Sequence, residues 1–511
     1  MVASWRESMR WQHTWVGLVL GALLFAIFWM GSLSVFDKEI DRWMMPATRL
    51  EPPESLSLAP ALASARKVAP DASRWRLMLP TSRSPQMRLY YPDAGGDLQF
   101  VDLEPGTGRP LPPQGTLAGS EFIFPFHFSL HLKAGQLGYW LVGLAGMAML
   151  SLLVSGLVVH RKPIQDLFTF RAHKRLGRAN LDLHNLTGVV GLPFHFIMTL
   201  SGLVIFVNIY FPDAATLAYD DAADPQGRFI EEGLGRFSRP PAGEPGTLAP
   251  LEPMLERARA AWSGEGPAFV RVWHPGDAAS YVEMRRSNQN MVRINRDQLY
   301  FDGGTGEVLF RFEAMPLMKT QRFISGLHFI QFDHWPLRWL YFGGGLSGCV
   351  MIVTGFIFWL QARRKRHAGQ GAFRLVEGLT VGSVTGIILA TLAFFVANRL
   401  LPLEARFAGY ERAALEVWVF FLVWLGAFVH GWLQRSDAWR GQCWAIAMLA
   451  VAAVALNAVT TGDHLLKTLA EGYWPVAGMD LMLLAGAAVA VWSARRLTQH
   501  RAVRLREVEF G

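Results

Sequence analysis

The chain has 511 residues, of which 51% are hydrophobic and only 18% are charged, and its mean hydropathy is +0.21. Soluble domains carry about 25% charged residues, so this composition excludes a disordered chain, a fibrous repeat and an ordinary cytosolic enzyme. A net charge of +8 would suggest nucleic-acid binding in a soluble protein, but here it indicates a polytopic membrane protein with basic cytoplasmic loops and no nucleic-acid partner. Two cysteines exclude a disulfide framework and an iron–sulfur cluster.

Eight apolar runs are long enough to cross about 30 Å of hydrocarbon as helices. They lie near 14–36, 137–160, 185–210, 338–361, 376–400, 414–433, 443–461 and 474–494. The first run is too long for the apolar region of a signal peptide, so we predict that it is a retained membrane anchor.

Lysine and arginine cluster in five short flanks, which fall on one side of the membrane if there are eight spans. The five groups are Arg6 and Arg10; Arg161, Lys162, Arg171, Lys174, Arg175 and Arg178; Arg363, Arg364, Lys365 and Arg366; Arg435 and Arg440; and Arg495, Arg496, Arg501, Arg504 and Arg506. Because positive charge marks the cytoplasmic side, both termini are predicted to be cytoplasmic. The same flanks are expected to contact the anionic lipid of the bilayer.

Two long stretches, 37–136 and 211–337, are then predicted to lie on the opposite face as two small α+β domains. Residues 88–91 and 270–273 have the pattern of short strands, and 250–262 has helical spacing of apolar positions. The predicted domain plan is a first span (1–36), an external domain (37–136), two spans with a basic loop (137–210), a second external domain (211–337), a fourth span with its basic flank (338–367) and a four-helix extension (368–511).

An internal repeat underlies this plan. The first and third spans align at an offset of 171, which places His13 on His184, Gly17 on Gly188 and Gly31 on Gly202. The second and fourth spans align at identical spacings, with the matching sets Trp140, Leu141, Gly146 and Gly156, and Trp339, Leu340, Gly345 and Gly355. The repeated unit is therefore span, external stretch, span, and it predicts a four-helix core.

Four histidines occupy matching positions in the two copies. His13 and His184 open outward-going helices at the cytoplasmic edge, and His131 and His328 precede inward-going helices at the external edge. A twofold pseudo-repeat would bring each pair face to face, which would give two axial nitrogen ligands for one haem near each membrane surface. Any one of these histidines alone is more simply interpreted as an interfacial residue, so the prediction of two b-type haems depends on the set.

Two further histidines are candidate ligands. His195 follows His184 by eleven residues, which would place both on one face of a straight helix, roughly 16 Å apart along its axis. It could serve a second stacked haem, although Pro193 could loosen the helix. His127 lies one helical turn before His131 and could replace or orient it.

Other cofactor motifs are absent or misplaced. The glycine-rich segment 343–348 lies inside a membrane span with no preceding strand, so it does not indicate dinucleotide binding, and no phosphate-binding loop occurs. If the chain moves electrons, they must come from membrane quinol or from a cytoplasmic or membrane-bound donor. The sequence identifies no catalytic residue beyond the candidate ligands.

Several segments in fixed order resemble one known family. They are WQHTWVG (11–17), LHNLTG (183–188), YFDGGTGEVL (300–309), LHF (327–329), RWLY (338–341), VTG (353–355) and RRK (363–365). With these the sequence resembles the PepSY-associated transmembrane proteins, the iron-regulated bacterial inner-membrane group that includes siderophore reductases. The resemblance covers about 5–367 and leaves the last four spans outside the family pattern, where a quinone site and a docking surface are both open.

The resemblance implies periplasmic PepSY-type domains and electron transfer from the cytoplasmic side to a ferric siderophore or other ferric chelate. It also implies that His13, His184, His131 and His328 hold haem b. Two alternatives stay open. One is a haem-free envelope protein whose external domains bind or inhibit a peptidase, and the other is a transporter of an iron chelate, since repeats are common in transporters.

Overall fold

The computed structural model describes residues 4–53, 56–132, 134–160 and 176–509. Most of the predicted basic loop after the second span, including Arg161, Lys162, Arg171, Lys174 and Arg175, lies outside the described residues. The chain forms two compact units. The helical unit comprises Met1–Pro46, Gly115–Leu203 and Pro336–Gly511, and the sheet unit comprises Ala47–Gln114 and Val204–Trp335.

Helices form most of the chain. Those of the helical unit are α1 (Trp5–Ser34), α2 (Asp37–Met44), α4 (Phe124–Ser129), α5 (Leu137–Val159), α6 (Leu176–Val190), α7 (Leu192–Ile205), α13 (Trp335–His367), α14 (Gly371–Leu400), α15 (Arg412–Gln434), α16 (Ala438–Thr461), α17 (Leu465–Ala470) and α18 (Trp474–Glu509). Those of the sheet unit are α3 (Ala59–Val68), α8 (Val207–Tyr210), α9 (Ala214–Ala218), α10 (Pro225–Leu234), α11 (Glu252–Ala261) and α12 (Pro316–Phe329). The helix predicted at 250–262 is confirmed as α11.

Within the described residues, seven helices are long and apolar enough to cross a membrane, and the pair α6 and α7 makes an eighth span if it is counted as one. The predicted span at 185–210 is therefore not a straight helix. The pair bends by 61° at Gly191, just before Pro193, whose missing N–H cannot continue the helical hydrogen bonds. The prediction that His184 and His195 lie on one face of a straight helix is wrong for this reason.

The last four long helices pack on one another through small residues. On α14, Gly378, Gly382 and Gly386 form a stripe at four-residue spacing, and the side chains of Trp432, Phe428 and Trp424 on α15 lie against it. Glycine lets two membrane helices approach closely because it leaves room for bulky side chains of the neighbour. The Trp424 Nε1 also donates to the Gly382 carbonyl at 3.0 Å.

The C-terminal helices also pack against the start of the chain. The Trp29 Nε1 of α1 donates to the Thr391 hydroxyl of α14 at 3.1 Å. The fully buried Trp43 of α2 donates to the Asp480 carboxylate of α18 at 2.8 Å. The four-helix extension is therefore an integral part of the helical unit and not an appended module.

One seven-stranded antiparallel sheet organises the other unit. Its strands are β1 (Arg74–Met78), β2 (Met87–Pro92), β3 (Leu98–Leu103), β4 (Pro267–Trp273), β5 (Tyr281–Arg286), β6 (Gln298–Asp302) and β7 (Val308–Phe312), and their order is β3-β2-β1-β4-β5-β6-β7. The strands predicted at 88–91 and 270–273 are confirmed within β2 and β4. A short hairpin of β8 (Arg406–Phe407) and β9 (Tyr410–Glu411) belongs to the helical unit.

The two stretches predicted as separate domains thus share a single sheet. Strand β1 from the first stretch pairs with β4 from the second, and this central pair would otherwise be two exposed edges. On one face, the buried Leu77 and Val270 continue a common apolar core with Leu62 of α3 and Leu255 of α11. The unit is also shorter at its first stretch than the predicted 37–136, because α2 belongs to the helical unit.

The internal repeat is visible in matching turns of the sheet unit. The Glu104 amide donates to the Arg109 carbonyl at 2.9 Å, and the Asp302 amide donates to the Glu307 carbonyl at 2.8 Å. Gly108 and Gly306 close these turns with φ values of +68° and +73°, which a residue with a Cβ rarely adopts.

Candidate functional site

A cavity of about 630 Å³ lies within the helical unit, between α1, α5, α6 and α13. We call it the histidine cavity because His13 and His184, the pair predicted from the repeat, both line it. Their ring centroids are 6.2 Å apart, and their ring planes are nearly perpendicular at 82°. The structure thus brings together two side chains separated by 171 positions in the sequence.

Each of these rings is held by a backbone carbonyl of the neighbouring span. The His13 Nδ1 lies 3.1 Å from the Leu152 carbonyl oxygen, and the His184 Nδ1 lies 2.7 Å from the Met351 carbonyl oxygen. Leu152 and Met351 are equivalent positions, since the second and fourth spans align at the offset that pairs Trp140 with Trp339. The two hydrogen bonds are therefore copies of one another.

The equivalence extends to two more residues on each side. The hydroxyls of Ser155 and Thr354 donate to the same two carbonyls, at 3.2 and 3.0 Å. A Cβ added at Gly156 would lie 3.1 Å from the His13 Cε1, and one added at Gly355 would lie 3.1 Å from the His184 Cε1. Glycine at these positions is what allows each ring to lie flat against the facing helix.

These contacts fix the tautomer of both rings. A carbonyl oxygen can only accept, so Nδ1 carries the proton and Nε2 keeps its lone pair. The Nε2 of neither ring has a hydrogen-bond partner among the described residues. Metal-ligating histidines are held in this way, with one ring N–H donated to a carbonyl and the other nitrogen left for the metal.

The spacing of the rings also suits one shared iron. Imidazole nitrogen binds transition metals at roughly 2 Å. The 6.2 Å between the ring centroids is short enough for both side chains to reach one iron. Within the described residues, no group of three or more histidine, cysteine, aspartate or glutamate side chains could form a closed metal cage. Two imidazoles in an apolar cavity therefore fit the axial ligation of a haem better than a bare ion site.

The charged residues at this cavity are all basic. Arg10, Arg178 and Arg363 line it, and the described lining residues include no carboxylate. Arg178 is half exposed and forms an ion pair with Asp182 at 3.1 Å. The rim can therefore accept anionic groups of a bound molecule.

A third histidine repeats the same contact elsewhere in the helical unit. The His127 Nδ1 lies 2.9 Å from the Ile27 carbonyl oxygen, and a Cβ at Gly31 would overlap the His127 ring. His131 differs, because it lies in a left-handed turn with φ +55° and its ring packs on Phe122 at 5.2 Å. His127 therefore shows the contact pattern of His13 and His184.

The remaining candidates are placed differently. His195 is fully buried but does not line the histidine cavity. Its Nε2 contacts the Gly344 carbonyl and the Ser347 hydroxyl at 3.2 and 3.1 Å. His328 lies in the last turn of α12, in the sheet unit.

The carbonyls of Leu152 and Met351 were not predicted as part of the site. The alignment of the second and fourth spans could have identified these two residues, because it pairs their positions directly. The arginines at the cavity rim also escaped prediction as site residues, since their chain positions indicated only cytoplasmic flanks.

The chain is similar to known proteins over this same region. The family model described as the PepSY-associated TM region matches residues 10–362, which include all of the residues that contact His13 and His184. A protein of Pseudomonas aeruginosa named "Uncharacterized protein PA4219" is 30% identical over 394 residues, covering 73% of this chain and 93% of the relative. The family match spans more than half of the chain and contains both copies of the internal repeat, so this chain belongs to the family of PepSY-associated transmembrane proteins.

Proposed function

We propose that this protein is a b-type haem reductase of the bacterial inner membrane that passes electrons to a ferric siderophore or other ferric chelate in the periplasm. The observation that carries the proposal is the repeated arrangement of His13 and His184, each held by an equivalent carbonyl with its Nε2 left without a partner. Membership of the family, with its pattern of spans and repeat, supports the same function.

In this proposal, His13 and His184 would together hold one haem. The haem supplies a one-electron carrier that is stable in both the ferric and the ferrous state. The Leu152 and Met351 carbonyls orient the two rings and keep Nε2 unprotonated, and the apolar cavity excludes water. Arg10, Arg178 and Arg363 offset the carboxylates that a haem carries at its edge.

The overall reaction takes one electron from membrane quinol, or from a cytoplasmic or membrane-bound donor, and converts one chelated Fe(III) to Fe(II). Siderophores hold iron through hard oxygen ligands. These bind Fe(II) much less tightly than Fe(III), because Fe(II) carries less positive charge and attracts anionic oxygens less strongly. Reduction therefore releases iron without breaking any bond of the chelator.

An absorption spectrum of the detergent-purified full chain, oxidised and then reduced with dithionite, tests the haem directly. We expect sharp reduced bands of a six-coordinate b-type haem and a pyridine haemochrome count of about two per chain. Mixing the reduced protein with a ferric siderophore should then return the spectrum to the oxidised form. A colourless protein from cells supplied with ample haem would overturn the proposal and leave peptidase binding as the function to pursue.

A further inference from the structure

A second cavity, of about 400 Å³, lies on the face of the sheet opposite its apolar core. We call it the arginine pocket, because six of its lining residues are arginines and its one carboxylate is Glu283. The six are Arg74, Arg76, Arg236, Arg271, Arg285 and Arg296. All of them belong to the sheet unit, and its volume is within the usual range of small-molecule sites, roughly 300–1,000 Å³.

Strand pairing places like charges side by side in this pocket. Arg76 of β1 and Arg271 of β4 are directly opposite one another in the sheet, an arrangement that destabilises a strand pair when the side chains carry the same charge. Glu283 of β5 is opposite Arg271 and accepts a hydrogen bond from it at 2.7 Å. This single carboxylate compensates only part of the positive charge.

Two of the guanidinium groups have donors with no acceptor. The Nε atoms of Arg76 and Arg285 are buried and have no hydrogen-bond partner among the described residues. Burial lowers the pKa of Arg285 to about 10 and also lowers the pKa of Arg76 and Arg296. The folded unit therefore keeps charged groups in a place where their charge is unfavourable, which is typical of a binding site.

Flat aromatic rings alternate with these cations. Arg76 lies over the Tyr90 ring at 4.4 Å, and Arg271 lies over the Trp273 ring at 5.2 Å. Phe237 and Tyr300 complete the aromatic part of the lining. Stacking alone could explain an arginine ladder as packing, but it supplies no acceptor for the Nε donors and no counter-charge.

We propose that the arginine pocket binds a polyanionic ferric chelate whose iron is held by catecholate groups. Guanidinium forks match pairs of anionic oxygens, and a catechol ring can stack on a guanidinium plane as the Tyr90 and Trp273 rings do here. This proposal rests on the proposed function, since it names the substrate class of the reductase. A neutral chelate offers neither the charge nor the rings that the lining complements.

Binding can be separated from reduction by replacing iron with gallium(III), which forms chelates of the same shape and does not accept an electron under these conditions. The probes are the gallium(III) complex of a tripodal tricatecholate and, for comparison, a neutral gallium(III) tris-hydroxamate. Titration of the full chain in detergent is followed by quenching of tryptophan fluorescence and by equilibrium dialysis. We expect the tricatecholate to bind at least about tenfold more tightly than the hydroxamate.

The variants Arg76→Gln and Arg285→Gln should each weaken tricatecholate binding about tenfold or more, the value of one charge-assisted hydrogen bond. Arg311→Gln is the matched control, because Arg311 lies on β7 outside the pocket and pairs with Glu313. Thermal unfolding of each variant, followed by tryptophan fluorescence, verifies that it has folded.

The two proposals can fail independently. Absence of tricatecholate binding, or equal affinity for the neutral complex, overturns the arginine pocket even if the reduced protein still reduces other ferric chelates. Tight gallium binding by a protein that contains no haem overturns the reductase and leaves the pocket established.

Discussion

His13 and His184 donate hydrogen bonds to backbone carbonyls at equivalent positions of an internal repeat, those of Leu152 and Met351. The donor in each case is Nδ1, so both rings present the same tautomer to the cavity between them. Because rigid helices supply both acceptors, the two rings are oriented before any cofactor arrives.

Replacing either His13 or His184 should remove one haem. His184→Ala is expected to lower the haem content from about two to about one per chain and to abolish reoxidation by a ferric chelate, because one axial nitrogen cannot hold a low-spin haem. Added imidazole should partly restore the spectrum by filling the space left by the ring. His367→Ala is the control, since His367 contacts Gln370 and does not line the cavity. Unchanged haem content in His184→Ala would contradict the assignment.

The glycines behind the rings should be sensitive to a single methyl group. Gly355→Ala places a Cβ 3.1 Å from the His184 ring, so the ring must shift by a few tenths of an ångström away from the Met351 carbonyl. We expect haem affinity, measured by titration of the haem-free protein, to fall severalfold. Gly343→Ala on the same helix α13 meets no atom within 4 Å and should bind haem normally. Equal behaviour of the two variants would show that ring position does not matter.

His127 and His131 are both candidate ligands for the second proposed haem, and single substitutions can distinguish between them. His127→Ala should lower the haem content by about one per chain, because its Nδ1 repeats the contact with a backbone carbonyl that His13 and His184 make. His131→Ala should retain both haems, since its ring packs on Phe122 from a left-handed turn. The opposite result would show that the position predicted from the repeat, and not the contact pattern, identifies the ligand.

The arginines of the sheet should differ in their effect on stability. Arg88 forms two hydrogen bonds to Asp102, at 2.7 and 3.1 Å, so Arg88→Gln leaves a half-buried carboxylate without its partner. We expect a loss of about 1–3 kcal/mol and an apparent Tm lower by several degrees in thermal unfolding followed by tryptophan fluorescence. Arg76→Gln removes a charge that faces Arg271, so its Tm should be unchanged or higher. A drop as large as that of Arg88→Gln would mean that Arg76 is needed for folding and not kept for binding.

Much of the helical unit could be predicted from local sequence. The lengths of the hydrophobic runs predicted the long helices, because a helix needs about twenty apolar residues to cross the hydrocarbon of a bilayer. The offset of the repeat predicted that His13 and His184 lie close together, because two copies of one helix pair place equivalent residues at their shared interface. The bend at Gly191 was missed, since hydropathy reports apolar character and not helix direction.

The arginine pocket, in contrast, could not be predicted from local sequence. Arginine alternates with apolar residues in 74–77, which indicates that this strand has one polar face, and Arg271 lies in the middle of the apolar run 269–273. Neither pattern indicates that the two strands are neighbours. Only the pairing of Arg76 with Arg271, from stretches that the sequence suggested were separate domains, concentrates the charge in one cavity.

The sequence by itself therefore determined the long apolar helices, the repeat and the pairing of His13 with His184, because each depends on short-range periodicity or on the comparison of two copies. The tertiary structure alone decided that the two stretches form one sheet, that His127 contacts a helix carbonyl, and that six arginines share one pocket. These features depend on contacts between residues far apart in the chain, where the free energy comes from packing and charge and leaves no local pattern.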